Sequence, residues 1–316
     1  MALIIKTAGL RSTLQDGGRR GALRHGLTSG GAADLYAWRW SNKLLDNPHD
    51  SAAIEIQLGT FRAKATGDMT LAVTGAAIVV KIDDVVVPGW SSFNIRAGQT
   101  LTVTTGRYGV FSYLAVAGGW RGRVFCGSRS VVVRESLSGM RELRPEDLVE
   151  PEAACTTVCS RRVPTDCLPD YEAPLNLDIL PGPQFQAFTE SDRLRLLNSS
   201  WTISPRSDRM GYRLTGPQCS AIPAGIISEG IGYGAVQIPP DGEPIVLLND
   251  RQTIGGYAKF ATVTRIDGSR LAQRGPGTAI TWTLSDVATQ QSRWLLFERF
   301  FRAIRWTETG DLYWPG

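Results

Sequence analysis

The feature that most constrains the fold is a series of short alternating segments over residues 69–104. Apolar side chains occupy every second position there, and Asp83-Asp84 and Ala97-Gly98 interrupt the alternation. A period of two is typical of β-strands with one buried face, and Asp or Gly between such runs favours turns. The series therefore predicts antiparallel strands joined by tight turns, and it places the chain in the mainly β class.

Comparable apolar runs elsewhere in the chain predict further strands. They cover residues 3–7, 53–58, 108–116, 177–180 and 245–248. Residues 98–104 also resemble residues 277–283, because a glycine turn precedes an alternation of apolar residues and threonines in both. Such an echo favours two related β-units, one in each half of the chain.

A change of composition marks the connection between these halves. Residues 145–174 carry prolines, acids and cysteines without any periodicity, as connecting segments do. We therefore predict an N-terminal β-unit over residues 1–150, a connection over 151–174 and a C-terminal β-unit over 175–316. An exchange of strands between the two halves stays open.

Three segments have the signals of helices. Asp34 is a good N-cap and Asn47-Pro48 a stop signal, so a helix is predicted between them. Thr189 and Asp192 have the spacing of a capping box. Ser285 is predicted to cap a C-terminal amphipathic helix that either packs on the end of a β-barrel or docks a partner, with packing favoured. Its apolar residues at spacings of three and four are Trp294, Phe297, Phe301 and Ile304.

The composition argues against several classes of protein. The 316 residues carry a net charge of +4 without a dense basic run, which argues against a dedicated nucleic-acid binder. No apolar run approaches the ~20 residues of a membrane span, and the start lacks the pattern of a signal peptide. The five cysteines include the crowded Cys155, Cys159 and Cys167 but no CxxC pair, and there are only two histidines. We therefore expect a cytoplasmic protein with reduced thiols and no metal site.

The strongest candidate for a functional site is the stretch of residues 237–259. Its apolar run 245–248 predicts a buried strand, and five consecutive polar side chains follow over residues 249–253. Gly255-Gly256 then allow a close approach of the backbone to another group. A buried strand that delivers polar residues onto a glycine loop is a common way to build a site, although an ordinary strand end followed by a tight turn has the same pattern.

Two further polar loops have a similar make-up, with small residues beside an acid and an arginine. They are Asp16-Gly17-Gly18-Arg19 and Ser207-Asp208-Arg209. The first is suited to hold an anion, but it lacks the spacing of a P-loop or of a dinucleotide-binding motif. We expect these loops and residues 237–259 to contribute to one composite pocket.

Several blocks of the sequence together resemble a known family. They cover residues 13–19, 29–34, 53–59, 113–119, 127–130, 180–183, 207–214 and 237–259. In this order they resemble the KipA-type proteins, also called allophanate hydrolase subunit 2 or biotin-dependent carboxyltransferase-like proteins, which include the C component of 5-oxoprolinase. The chain departs from the family pattern at Ala258, where a proline is usual, and over residues 131–148, where a glycine-rich loop is shortened.

The resemblance implies two cyclophilin-like β-barrel subdomains with a few short helices. It also implies a KipI-type partner (the B component of 5-oxoprolinase) and a LamB/YcsF-type partner (its A component), with which the chain would cleave 5-oxoproline to glutamate using ATP bound by the complex. One alternative is the carboxyltransferase subunit of a biotin-dependent urea or amide carboxylase. Because the chain has no Met-Lys-Met tripeptide, biotin would then be carried by another chain. The other alternative is a non-catalytic KipA-like regulator of a KipI-type kinase inhibitor.

Opening a lactam with ATP requires a base or a metal-holding acid, cations that neutralise phosphate, and donors that polarise the lactam carbonyl. The implied catalytic residues are Asp16, Glu55, Asp208 and Asp250. The implied substrate- and anion-binding residues are Arg19, Arg209, Arg213, Gln237, Gln252, Thr253, Gly255, Gly256, Tyr257 and Lys259. Structural roles stay open for both groups, since acids in turns can be caps and arginines can brace buried carboxylates. If Asp250 is catalytic, replacing it with alanine is expected to abolish activity and leave folding intact.

Overall fold

The structure, a computed structural model, describes residues 1–76, 78–153, 160–219 and 226–315. The chain forms two compact units. The first contains Met1–Arg20, Gly30–Tyr171 and Phe297–Gly316, and the second contains Gly21–Ser29 and Glu172–Leu296. Relative to the division predicted from the sequence, residues 151–171 and 297–316 belong to the first unit and residues 21–29 to the second.

The first unit is built from two antiparallel sheets. Its strands in the N-terminal half of the chain are β1 (Leu3–Ala8), β2 (Arg11–Gln15), β3 (Ala53–Gln57), β4 (Thr60–Ala65), β5 (Met69–Gly75), β6 (Ile78–Ile82), β7 (Val85–Val87), β8 (Ser91–Ile95), β9 (Thr100–Thr105), β10 (Phe111–Val116) and β11 (Leu148–Val149). One sheet has the order β11-β1-β4-β9-β6-β7, and the other has the order β2-β3-β10-β5-β8. Leu3, Phe61, Leu71 and Leu114 are fully buried in the core of this unit.

The second unit contains a closed seven-stranded barrel. The strands of this unit, seven of which form the barrel, are β12 (Leu175–Pro181), β13 (Trp201–Ile203), β14 (Gly211–Thr215), β15 (Glu229–Gly230), β16 (Ala235–Ile238), β17 (Ile245–Leu247), β18 (Ile254–Gly255), β19 (Ala258–Val263) and β20 (Ala279–Leu284). The barrel order is β12-β19-β16-β17-β14-β13-β20, closed by the parallel pair β12 and β20, while β15 and β18 form a separate two-stranded sheet. The predicted mainly β class is therefore confirmed.

The described residues include four α-helices: α1 (Leu35–Lys43), α2 (Glu190–Asn198), α3 (Arg265–Ala272) and α4 (Val287–Ala303). The predicted caps of the first two are confirmed, since the side chain of Asp34 accepts from Tyr36 and Ala37, and that of Thr189 accepts from Asp192. The predicted cap of α4 at Ser285 is wrong.

The cap of α4 is Asp286, whose carboxylate accepts from the backbone N–H and the hydroxyl of Thr289 at 2.9 and 2.6 Å. The hydroxyl of Ser285 instead accepts from the Gln290 amide at 2.7 Å. After α4 the chain forms a short hairpin of β21 (Arg305–Trp306) and β22 (Leu312–Tyr313). Of the four apolar residues predicted to form the packed face of this helix, Phe301 is buried in the helix and Ile304 is buried just after its end.

Residues 21–29 are held in the second unit by two hydrogen bonds. The hydroxyl of Thr28 donates to the carbonyl of Asn249 at 3.0 Å, and the guanidinium of Arg251 donates to the hydroxyl of Ser29 at 3.2 Å. Asn249 and Arg251 follow β17. Residues 21–29 are therefore bound to the polar run at the end of this strand, which the sequence predicts to be part of a functional site.

Two further expectations concern cysteines and membranes. Cys155 and Cys159 lie outside the described residues, whereas the thiol of Cys167 is free. Within the described ranges, none of the helices has the length and apolar character that a membrane crossing requires.

Candidate functional site

Asp16 is the centre of a hydrogen-bond network in the first unit. Its Oδ1 accepts from the backbone N–H of Gly18 at 2.9 Å and from the hydroxyls of Ser128 and Ser130 at 2.5 and 2.6 Å. Its Oδ2 accepts from the backbone N–H of Arg129 at 2.6 Å. These four donors occupy both oxygens of a carboxylate that is only 5% exposed. The geometry therefore fixes the turn after β2 against the loop of residues 128–130.

Arg19 and Glu55 are buried and paired in the same unit. The guanidinium of Arg19 forms an ion pair with Glu135, so its charge is matched within the protein. Glu55 Oε2 accepts from the backbone N–H of Ala33 at 2.8 Å and from the hydroxyl of Tyr113 at 2.7 Å. Burial and the neighbouring Glu55 carboxylate raise the pKa of Tyr113 well above its ordinary value, so the phenol stays protonated and donates. Glu55 does not face solvent, because the residue is only 2% exposed.

In the second unit, Arg209 and Asp250 form a buried bidentate ion pair. Nε and Nη2 of Arg209 donate to Oδ2 and Oδ1 of Asp250, both at 2.9 Å. The backbone N–H of Asp250 also donates to the carbonyl of Arg209 at 2.9 Å. Their side chains are 5% and 10% exposed, so little water screens the pair. This geometry matches a brace between two loops, because it fixes both position and orientation.

Asp208, next to this pair, is exposed and closes a turn. Its Oδ1 accepts from the backbone N–H of Met210 at 2.8 Å and of Gly211 at 3.3 Å. These are the bonds of a turn cap, one of the two roles left open by the sequence.

A second polar cluster surrounds Lys259. We call it the Lys259 cluster, and its residues are Gln184, Glu229, Gln237, Gly255 and Lys259. The ammonium of Lys259 lies 2.5 Å from Glu229 Oε1, which also accepts from the Gln184 amide at 2.8 Å. The hydrogen bonds from Lys259 and Gln184 lower the pKa of Glu229, so this carboxylate is ionised at neutral pH. Lys259 is thus a nearly buried cation, with its side chain 7% exposed, oriented by a carboxylate that is 42% exposed.

Gln237 adds a hydrogen-bond donor to this cluster. It lies opposite Lys259 where β16 pairs with β19, and side chains opposite each other on antiparallel strands share a face. The side chain is 1% exposed, and its Nε2 has no hydrogen-bond partner among the residues that the structure describes. A buried donor in this state costs about 1–3 kcal/mol. A ligand that accepts from Gln237 would remove this cost.

Gly255 provides the space for the Gln237 amide. A Cβ atom on Gly255 would lie 3.2 Å from Nε2 of Gln237 and 2.6 Å from Cδ1 of Ile231. The second contact is shorter than any packed side chain tolerates, so a larger residue would displace its neighbours. The glycine therefore allows the close approach that the sequence predicts.

The other predicted residues of the second unit have different surroundings. Arg213 pairs with Asp241 at 2.7 Å and takes no part in either buried cluster. The carbonyls of Thr253 and Gly256 accept from backbone N–H groups, which anchors the loop after β17. Among these loop residues, Gln252, Thr253 and Gly256 are half-buried and Tyr257 is exposed. The structure thus brings together Arg209 with Asp250, and Gln237 with Gly255 and Lys259.

The sequence analysis did not predict three residues: Gln184 and Glu229 of the Lys259 cluster, and Arg251 beside Asp250. Glu229 reaches Lys259 because β15 pairs with β18, and no local sequence pattern predicts this pairing. Gln184 directly follows a block of the family resemblance, residues 180–183, and this adjacency was the available signal. Arg251 lies inside the predicted polar run but is 2% exposed, and it donates to the carbonyls of Ile231 and Leu248 at 3.1 and 3.2 Å. Burial lowers the pKa of Arg251 to about 10.

Comparison with known proteins places these clusters in a family. Residues 25–284 match the family model described as the carboxyltransferase domain, subdomain A and B, which is most of the chain. The chain belongs to this carboxyltransferase family. All members of the Lys259 cluster lie within the matched residues of this carboxyltransferase domain.

Two relatives of this carboxyltransferase domain match over most of their own length. The C component of 5-oxoprolinase from Haemophilus influenzae is 34% identical over 85% of this chain and 87% of its own. The C component of 5-oxoprolinase from Escherichia coli is 32% identical over 96% of this chain and 98% of its own. The urea amidolyase of Lachancea kluyveri is 24% identical over 98% of this chain but only 18% of its own.

Solved structures agree on the fold. The crystal structure of TTHA0988 is 33% identical with a TM-score of 0.81, and the match covers 89% of this chain. The carboxyltransferase domain spans 55% of that longer chain. The K. lactis urea amidolyase structure has a TM-score of 0.89 at 22% identity, over 95% of this chain and 20% of its own, and it supports the fold alone.

Proposed function

We propose that this carboxyltransferase domain is the C component of an ATP-dependent 5-oxoprolinase complex, which cleaves 5-oxoproline to glutamate together with KipI-type and LamB/YcsF-type subunits. Two relatives that bear the name of this component, matched over 85% and 96% of this chain, support the proposal. The observation within the chain that carries it is the buried, unpaired Nε2 of Gln237 beside the ion pair of Lys259 and Glu229.

The chemistry of 5-oxoproline suits this arrangement. The substrate is a cyclic amide that also carries a carboxylate, so it offers a carbonyl oxygen and a negative charge. In the proposed site Gln237 donates to the lactam carbonyl, and Lys259 stabilises the negative charge that develops when the ring opens. Glu229 orients the ammonium of Lys259 and does not act as its base, because its own pKa is lowered. ATP is assigned to the complex as a whole.

Arg209 and Asp250 have a supporting role in this proposal. Their buried pair fixes the loop that follows β17, and this loop leads directly into β18 and Gly255. Gly255 in turn leaves the space beside the Gln237 amide. We therefore assign Asp250 to positioning, and the groups that contact substrate to Gln237 and Lys259.

The test uses the complete complex. The chain is co-purified with its KipI-type and LamB/YcsF-type subunits, and release of glutamate from 5-oxoproline and ATP is measured. Gln237→Met is expected to lower kcat by ~10²–10³-fold, as removal of a donor to a developing oxyanion does. Gln218→Met, the same change at an exposed position, is expected to keep wild-type activity. The absence of glutamate release with all three subunits present would contradict the 5-oxoprolinase assignment.

Carboxyl transfer is the second candidate function. It is favoured by the family description and by the similarity to urea amidolyase over 98% of this chain. In that reaction the Gln237 amide would bind the urea carbonyl. Carboxylation of urea by free carboxybiotin, without glutamate release from 5-oxoproline, would select this function. Tight binding of the KipI-type subunit without either reaction would select the regulatory alternative.

A further inference from the structure

A separate pocket of 370 Å³ lies in the first unit, between the ends of α1 and α4. The charged and polar residues that line it include Arg39, Asn42, Lys43, Glu298, Arg302 and Arg305, and Asn47 and His49 complete this polar lining. None of these residues belongs to the clusters of the candidate functional site. Volumes of about 300–1,000 Å³ are typical of sites for small molecules, so the pocket is large enough for a compact ligand.

The charges of this pocket do not balance. Glu298 is its only lining acid among the described residues, and both its oxygens are engaged, by Arg39 at 3.0 Å and by Arg302 at 3.5 Å. Asp46, which lies near Lys43, is bound instead to Arg161 at 2.7 Å. In the described part of the chain, the ammonium of Lys43 has neither an ion pair nor a hydrogen bond, and Arg305 has no carboxylate partner.

The surroundings of Lys43 destabilise its charged form. The side chain is half-buried, and burial together with the neighbouring Arg305 lowers the pKa of Lys43, against a smaller opposing effect of Asp46. An anion placed between Lys43 and Arg305 would offset the repulsion between these two positive charges. Arg305 is also held in place, since its guanidinium donates to the carbonyls of Ala303 and Ile304 at 3.3 and 3.0 Å.

We propose that this pocket binds a small ligand carrying a phosphate dianion. Two cations without carboxylate partners match the charge of a phosphate group at neutral pH, and a monocarboxylate would neutralise only one. Arginine and lysine together supply planar and point-like donors, the combination used for phosphate groups. The C-terminal ends of α1 and α4 both carry partial negative charge, but their last carbonyls already have donors: Arg305 covers those of α4, and Trp306 Nε1 donates to the carbonyl of Lys43 at 2.7 Å.

The pocket volume exceeds that of a free phosphate ion, which leaves room for an organic part beside Phe301. Two sources of the phosphate group are therefore distinguished by experiment, inorganic phosphate and a nucleotide such as ATP. The inference does not depend on the proposed function, because it concerns other residues and is tested on the full chain without partner subunits.

Isothermal titration calorimetry with phosphate and with ATP, at low ionic strength, tests the proposal. Saturable one-to-one binding of at least one of them is expected, and Lys43→Gln is expected to weaken it roughly tenfold, as loss of a charged hydrogen bond does. Lys64→Gln is the matched control, because Lys64 has the same charge and lies exposed on β4, and it is expected to bind like the wild type. Arg302→Gln, at a side chain 72% exposed, is a second variant that is expected to fold and to bind more weakly.

The outcomes separate the possibilities. Tighter binding of ATP than of phosphate assigns the pocket to a nucleotide, and the reverse assigns it to the free ion. The proposal is overturned if neither ligand binds, if Lys64→Gln weakens binding as much as Lys43→Gln, or if malonate, a dicarboxylate, binds more tightly than both.

Discussion

Replacing Asp250 with alanine tests whether its pair with Arg209 is a structural brace. The pair has two hydrogen bonds of 2.9 Å, and the side chains are 5% and 10% exposed. Removing one partner of such a pair leaves the other charge buried without its counterion, which costs about 3–5 kcal/mol. We expect Asp250→Ala to lose about this much free energy of unfolding, in contrast to the unchanged folding expected from the sequence alone.

The loss can be measured by urea unfolding followed by circular dichroism. With an m-value of ~3 kcal/mol/M, a loss of ~3 kcal/mol lowers the midpoint by ~1 M, and a smaller m-value gives a larger decrease. The double variant Arg209→Met with Asp250→Ala is expected to be more stable than Asp250→Ala alone, because no charge is then left buried.

Asp241→Ala is the matched control, since Asp241 pairs with Arg213 at 2.7 Å but is 48% exposed. Its loss is expected to stay below about 1 kcal/mol, as for surface ion pairs. Equal decreases for Asp250→Ala and Asp241→Ala, or a double variant no more stable than Asp250→Ala, would refute the argument.

Three further predictions concern other residues. Gly255→Ala is expected to lower glutamate release by the complex because the added methyl group crowds the Gln237 amide, whereas Gly275→Ala, with no atom within 4 Å of its added Cβ, should release glutamate at the wild-type rate. Burial raises the pKa of Tyr36 to about 12, so its contribution to stability is complete below pH ~10 and is lost between pH ~10 and 12. Urea midpoints over that range should therefore fall less steeply for Tyr36→Phe than for the wild type, and parallel curves would contradict this. Glu135→Gln removes the carboxylate that pairs with the buried Arg19 and is expected to lower the melting temperature by several degrees, clearly more than Glu150→Gln in an exposed pair.

The strands could be predicted from the sequence wherever the two faces of a strand differ in burial. In β4 and β9 buried and more exposed residues alternate, so the residue pattern reports the burial directly. In β3 and β10 this relation fails, because both faces are almost completely covered and Glu55 is buried with its apolar neighbours. The prediction of the α4 cap was wrong for a local reason. Ser285 and Asp286 are adjacent acceptors, and the sequence does not say which of them accepts from the backbone N–H groups of the first turn of the helix.

The residues of the candidate site were easier to predict than their partners. Residues 237–259 have the composition of a site, and Gln237 and Lys259 do lie side by side. Yet Arg209 and Asp250 are 41 residues apart, and their contact depends on how β14 pairs with β17. Glu229 likewise reaches Lys259 only because β15 pairs with β18. Such partners are set by strand register, which the composition of a loop does not contain.

Each compact unit includes a segment from the opposite half of the chain, because Gly21–Ser29 belongs to the second unit and Phe297–Gly316 to the first. This arrangement has a consequence for expressing the protein as two fragments. A break after Tyr171 cuts the chain near its middle, yet the N-terminal fragment lacks Phe297–Gly316 and the C-terminal fragment lacks Gly21–Ser29. Each fragment therefore holds an incomplete unit and is expected to need the other for folding. Produced together, the fragments should complement each other as a split protein does, and produced separately they should aggregate.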